Sequence, residues 1–159
     1  MISSDGQHVA FLSLDLSLPR NTIGNGPFIT DLNRTLDLAG VPVVGTLVGM
    51  HYSCPDDAGM TYFVAGSTGY FPGIYADGIR SLALNFSPVF LASVTGNTFF
   101  AGAGVTTTGS NPGQAIFPIA IPPIPGLIGL TIYLSAATFD PYAYSGIKGF
   151  TNAVAVTFQ

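Results

Sequence analysis

The sequence predicts an all-β fold: a sandwich, jelly-roll or Ig-like, of about eight short antiparallel strands forming one domain over residues 1–159. Three observations carry this reading. Apolar residues alternate with polar ones at period two in several runs, as a strand with one buried face requires. Clusters of Gly, Pro, Asn and Asp interrupt those runs at roughly ten-residue spacing, the rhythm of a sandwich or small barrel. Helical periodicity is nearly absent, and no strand–helix alternation suggests a parallel α/β sheet.

In chain order, the first expected strand spans 8–18, where Leu12, Leu14, Leu16 and Leu18 share one parity around Ser13, Asp15 and Ser17. The turn Asn25-Gly26-Pro27 follows. A second run, 42–52, ends near Asp56-Asp57-Ala58-Gly59, residue types that cap turns or accept positive φ. Strands are expected next at 60–65, at 80–86 with Leu82, Leu84 and Phe86 on one parity, and at 88–94. Ser110-Asn111-Pro112-Gly113 then turns the chain into 114–121. The clearest alternation is 130–139, with Leu130, Ile132, Leu134 and Ala136 set against Thr131, Tyr133 and Ser135. Val154, Val156 and Phe158 mark a final strand at 150–158. Proline has no N–H for a ladder, so Pro118, Pro122, Pro123 and Pro125 belong at a strand end or on an edge. Pro125-Gly126 turns the chain toward the strand that begins near Leu130.

Composition narrows the function classes. Hydrophobic residues make up 48% and charged residues only 8%, against about 25% charged in ordinary domains. There is no Glu and no Trp, and Lys148 is the only lysine. Such a chain covers itself with Ser, Thr, Asn, Gly and Tyr, a surface with little charge to keep other protein away. The net charge is -4, and Arg20, Arg34, Arg80 and Lys148 are dispersed along the chain. No nucleic acid is expected as a partner, because phosphate neutralisation needs a basic stripe. No apolar run reaches the roughly 18 residues of a transmembrane helix, so no membrane span is expected. Residues 1–6 lack the basic n-region of a secretory signal. The chain is expected either to have lost such a leader or not to use that route of export.

The chemistry-bearing residues are sparse. A nucleophile needs a base and an orienting group. His8 and His51 are the only histidines, and no G-x-S-x-G elbow occurs. In a strand, His51 and Cys54 fall on opposite faces, so neither a thiolate–imidazole pair nor a zinc set is expected. Cys54 is the only cysteine and reads as a small hydrophobe. The eight aspartates sit largely beside turn residues, which disfavours a paired-carboxylate glycosidase. Asp56 and Asp57, adjacent in one loop, are the candidates for calcium; the competing reading is a solvated turn. No cofactor and no enzymatic activity are expected.

The second half of the chain carries a resemblance. Residues 121–133, read as Ile121-Pro122-Pro123-Ile124-Pro125-Gly126-Leu127-Ile128-Gly129-Leu130-Thr131-Ile132-Tyr133, are similar to the IPN-x-P-x-L-x-G-L-T-x-Y pattern. That pattern belongs to a β-rich C-terminal domain of secreted proteins from planctomycetes and myxobacteria. Ala136 to Pro141, Thr151 to Val156, and Leu82-Ala83-Leu84-Asn85 with Pro88-Val89-Phe90 resemble further strand elements of that domain. The resemblance spans 61–159 and implies an exported, all-β, non-catalytic domain, with no catalytic residue to carry over.

The expected function is therefore that of a non-catalytic structural subunit of an extracellular or cell-surface assembly: a filament, layer or oligomer of copies of itself. Residues 1–20 are a candidate exchanged or donated strand. The interface candidates are Leu12, Leu14, Leu16, Tyr70, Tyr75, Tyr142 and Tyr144, apolar or aromatic residues in strand or turn positions. The alternative is an adhesion module in which loop tyrosines meet glycans or a cell surface, assisted by calcium.

Overall fold

A computed structural model describes residues 8–11, 28–31, 33–76, 80–96 and 102–159. The fold is all-β and antiparallel, a sandwich of two sheets. Sheet I has the order β3 (Thr35–Ala39), β4 (Leu47–Ser53), β9 (Gln114–Ala120). Sheet II is built on the longest strand, β10 (Thr131–Phe139), which pairs with β5 (Thr61–Ser67) and, through it, β8 (Gly102–Val105). The other edge of β10 is shared by two short strands. β12 (Val154–Thr157) takes residues 131–134, and β11 (Ile147–Phe150) takes residues 137–139. Thr151 bridges between them: its N–H donates to the Ala136 carbonyl at 2.9 Å and its Oγ1 accepts from the Ala136 N–H at 2.8 Å. β1 (His8–Phe11) and β2 (Phe28–Asp31) pair in a two-stranded sheet of their own.

The core lies between the two sheets, because alternation points one parity of each strand inward. Leu36, Met50 and Tyr52 of sheet I meet Val64, Leu134 and Val156 of sheet II, all buried. Aromatic rings cross the interface. Tyr52 stacks on Tyr62 at 6.0 Å between centroids, and Tyr62 meets Phe117 at 5.7 Å. β8 makes room for them by having no side chains at its inner positions. A Cβ at Gly104 would lie 2.9 Å from the Tyr62 hydroxyl, and one at Gly102 would lie 3.2 Å from the Phe117 ring.

Both edges of sheet I are closed by single residues. On the β3 side, the Asn152 side chain acts as a one-residue strand: its Oδ1 accepts from the Leu36 N–H at 2.9 Å and its Nδ2 donates to the Leu36 carbonyl at 3.0 Å. On the β9 side, Pro118 sits mid-strand opposite Gly49, as an edge strand allows.

The outer face of sheet II carries a third layer, formed by residues inserted between β5 and β8. It holds the short pair β6 (Ile74–Tyr75) and β7 (Ser81–Leu82) and the helix α1 (Pro88–Val94). Leu82 and Leu84 are buried with Ala65 in a second apolar cluster. Buried hydroxyls pin the layer down. Ser67 Oγ donates to the Asn85 carbonyl and bonds Ser87 Oγ, each at 2.8 Å. Ser93 Oγ accepts from the Gly66 N–H at 3.1 Å.

Several expectations need correction. Residues 88–94 form a helix, not a strand. Ser87 is its N-cap, accepting from the Phe90 N–H at 3.1 Å, and Pro88 fills a first-turn position where a missing N–H costs nothing. The run 80–86 yields strand only at Ser81–Leu82. The run 42–52 becomes strand at Leu47, because Pro42 and Gly45, the latter at φ +81, hold a loop before it. The run 150–158 is divided at Thr151. Strands β2, β3 and β8 lie outside all the expected runs. Of 8–18, residues 12–18 fall outside the described residues; so do Leu12, Leu14 and Leu16 and most of the candidate donated strand 1–20. His8–Phe11 pairs with Phe28–Asp31 of the same chain.

Candidate interaction surface

All strands of the sandwich run between two ends of opposite character. One end holds Ser53, Thr61, Gln114 and Phe139; the other holds Ala39, Leu47, Ala120, Thr131 and Thr157.

At the first end, β4 runs into the turn Pro55–Asp57. The turn is anchored by the Cys54 N–H donating to the Gly113 carbonyl at 2.9 Å. Gly113 has φ +71, and a Cβ there would overlap the Cys54 carbonyl, so this crossing requires glycine. The turn delivers Asp57 into the interior with no exposed surface. Arg34 grips the carboxylate with two bonds, Nε to Oδ2 and Nη2 to Oδ1, both 2.8 Å. Lys148 Nζ lies 3.2 Å from Oδ1. Thr138 Oγ1 donates to Oδ2 at 2.9 Å, and the Tyr52 hydroxyl donates to the same oxygen. A Cβ at Gly149 would overlap the Arg34 guanidinium, so glycine there leaves the space the guanidinium occupies.

Burial by itself raises the Asp57 pKa, but the hydrogen bonds from Arg34, Tyr52 and Thr138 and the charge of Arg34 outweigh it and hold the carboxyl well below the usual carboxylate range. Burial, then the hydrogen bond to Asp57, pushes the Tyr52 hydroxyl well above its ordinary value. This geometry decides what the calcium candidates do. The Asp57 oxygens are saturated by protein donors, two of the residues being cationic, which leaves a calcium ion no ligand there. Asp56 is exposed, and its carbonyl accepts from Lys148 Nζ. The alternative of a solvated turn also fails for Asp57, which is a buried hub. Among the described residues no group of three or more His, Cys, Asp or Glu side chains gathers as a metal site. Arg34 and Lys148, dispersed in sequence, converge on one carboxylate, a convergence that no local spacing announces.

The aromatic candidates are not brought together. Tyr70 is exposed and rests against Tyr133 at 5.1 Å between centroids. Tyr75 is half-buried, with its hydroxyl buried and unbonded. Tyr142 is 98% exposed in the turn after β10, where its N–H donates to Asp140 Oδ1 at 2.9 Å. The Tyr144 side chain lies outside the described residues.

The second end is built from three segments, 41–47, 121–130 and 157–159, laced by backbone hydrogen bonds. Val44 N–H donates to the Gln159 carbonyl at 2.9 Å, Gln159 N–H to Pro42 at 3.0 Å, Ile121 N–H to Thr46 at 2.9 Å, and Gly129 N–H to Phe158 at 2.9 Å. None of these segments contains a charged side chain. Val41, Val43, Leu47, Ile124, Ile128 and Leu130 are all exposed there, Leu47 at 71%. The backbone N–H groups there are largely bonded as well. Between Ile121 and Leu130, Pro122, Pro123 and Pro125 have no N–H, and every other donor except that of Gly126 bonds within this end. A surface with so few unmet donors loses little when water is removed from it.

None of the interface candidates named from sequence lies in these three segments. A signal for the end was present: no Asp, Glu, Lys, Arg or His occurs between Arg80 and Asp140.

The molecule is thus an antiparallel β-sandwich with a charged, internally bonded end and an uncharged apolar one. No protein-family model matches the chain, and no curated protein matches it. Among the described residues no helix is long and apolar enough to cross a membrane.

Proposed function

We propose that this protein is a non-catalytic structural subunit that packs against copies of itself through its uncharged end, in an assembly outside the cell or at its surface. The observation that carries the reading is the end formed by 41–47, 121–130 and 157–159, where six apolar side chains are exposed on a backbone whose donors are nearly all satisfied. Interface cores are depleted of charge in this way, while a solvent-facing surface keeps charge for solubility. The resemblance of residues 61–159 to secreted β-rich domains supports the placement outside the cell.

Sedimentation velocity over a wide concentration range, with negative-stain imaging of the same samples, tests the reading. The wild type is expected to form larger species as concentration rises, and the double variant Leu47→Lys/Ile128→Lys to remain a monomer. A wild type that stays monomeric and featureless throughout overturns the proposal. Removing residues 1–20 separates end-on contact from strand exchange: assembly survives the deletion in the first case and is lost in the second.

A further inference from the structure

A second feature, independent of the uncharged end, lies under the outer layer of sheet II. There α1 and the β6–β7 pair stand over β5, β10 and β11 of the sheet without filling the space beneath them. The result is a pocket of about 190 Å³ whose lining residues are all apolar. Its floor is Ala65 of β5 and Ala137 of β10, the smallest side chains available at those positions. Four phenylalanines wall it: Phe63 and Phe139 from the sheet, Phe90 from α1 and Phe150 from β11.

The arrangement sets the chemistry of an occupant. The pocket opens on one side to solvent, and its walls offer water there no hydrogen bond. Left vacant, the phenylalanine faces and alanine methyls forgo dispersion contacts on one side. An apolar ring entering the pocket restores those contacts without desolvating any polar group. The volume is sufficient: an apolar cavity of about 150 Å³ holds a benzene ring, and this pocket, which opens on one side to solvent, offers about 190 Å³. The Ser67, Ser87 and Ser93 hydroxyls that hold the layer to the sheet bond to protein groups, so the layer is fixed by polar pins away from the apolar space. We infer that this pocket is a binding site for a small hydrocarbon ring, either a free aromatic molecule or the ring of a larger apolar compound, that presents no hydrogen-bonding group to the walls.

Toluene is the probe, followed by methyl NMR of the full chain. Saturable shifts are expected on the methyls of Ala65, Ala137, Ile74, Leu82, Val94 and Ile147. Phenol, of the same shape, is expected to bind about tenfold more weakly, because its hydroxyl finds no partner there. Toluene with a long alkyl substituent separates the two sources: undiminished binding identifies a pocket open to the ring of a larger compound, and loss identifies a site for the free ring. Ala137→Leu fills the floor and is expected to abolish toluene binding with the melting temperature unchanged or raised; Ala65→Val serves if that variant does not fold. Absence of saturable shifts up to the solubility limit of toluene overturns the inference, as does binding that persists in a folded floor-filled variant.

Discussion

The two ends of this sandwich use the same poor stock of charge in opposite ways. At one end Arg34 and Lys148 converge on the buried carboxylate of Asp57. At the other, residues 41–47, 121–130 and 157–159 include no charged side chain, and exposed Val, Ile and Leu side chains meet solvent. The difference teaches that charge here organises the interior at one end, while its absence shapes the exterior at the other. A buried carboxylate with several donors ties the Pro55–Asp57 turn to Arg34, just ahead of β3, and to Tyr52 of β4 and Thr138 of β10 in one geometry. The opposite end is laced mainly by backbone hydrogen bonds, with Thr46 Oγ1 donating to the Val43 carbonyl at 2.8 Å, and leaves six apolar side chains exposed.

The comparison can be broken most severely at the charged end. Arg34→Met leaves Asp57 buried with its bidentate partner gone, and is expected to cost about 3–5 kcal/mol of stability, read by denaturant unfolding. A cost below about 1 kcal/mol would show that the cluster is not what holds this end. The next effect is one of pH. The folded Asp57 carboxyl titrates below its unfolded value of about 4, so its contribution is present above that pH and is lost as pH falls through the acid range. The folded Tyr52 hydroxyl titrates above its unfolded value of about 10, so its contribution is present below that pH and is lost as pH rises beyond it. Melting temperature is therefore expected to fall on both flanks, with Asp57→Asn flattening the acid flank. The smallest effect belongs to the uncharged end: Leu47→Lys/Ile128→Lys is expected to change monomer stability by about 0.5 kcal/mol or less while removing assembly. A large loss of stability would mean that these side chains support the fold and are not free for a partner.

What the sequence made legible follows from how local the determinants are. The strands expected at 114–121 and 130–139 are found at Gln114–Ala120 and Thr131–Phe139; the first alternates along its length, and the second alternates up to Leu134 before both of its faces are covered. β8 was illegible, since Gly102-Ala103-Gly104 has no side-chain pattern to read; its glycines are explained only by Tyr62 and Phe117 lying over them. The helix α1 is hidden by its length: seven residues make only about two turns, too few to establish a helical pattern, and only the Ser87-Pro88 cap pair distinguishes it from a strand. The cluster around Asp57 was misread for a different reason. Its members come from five parts of the chain, and the loop position of Asp57 suggested exposure, whereas the fold closes over it. The uncharged end is the reverse case. Low charge in the sequence points to contact with other protein, with Leu12, Leu14, Leu16, Tyr70, Tyr75, Tyr142 and Tyr144 as candidates, whereas the exposed aliphatic side chains of this end lie in other segments of the chain.

The Asn152 clamp on Leu36 bears on how such a chain avoids cross-β growth. A sequence this apolar, rich in short strands and poor in charge, is at risk of templating further strands along its sheet edges. The β3 edge offers Leu36 to an incoming strand, but that site is already taken by a side-chain amide that satisfies both of its groups and has no backbone to continue the ladder. Pro118 removes a donor on the opposite edge of the same sheet. Sheet I thus offers no continuous ladder at either edge, and an assembly of the proposed kind would grow along the strand axis and away from the hydrogen-bonding direction.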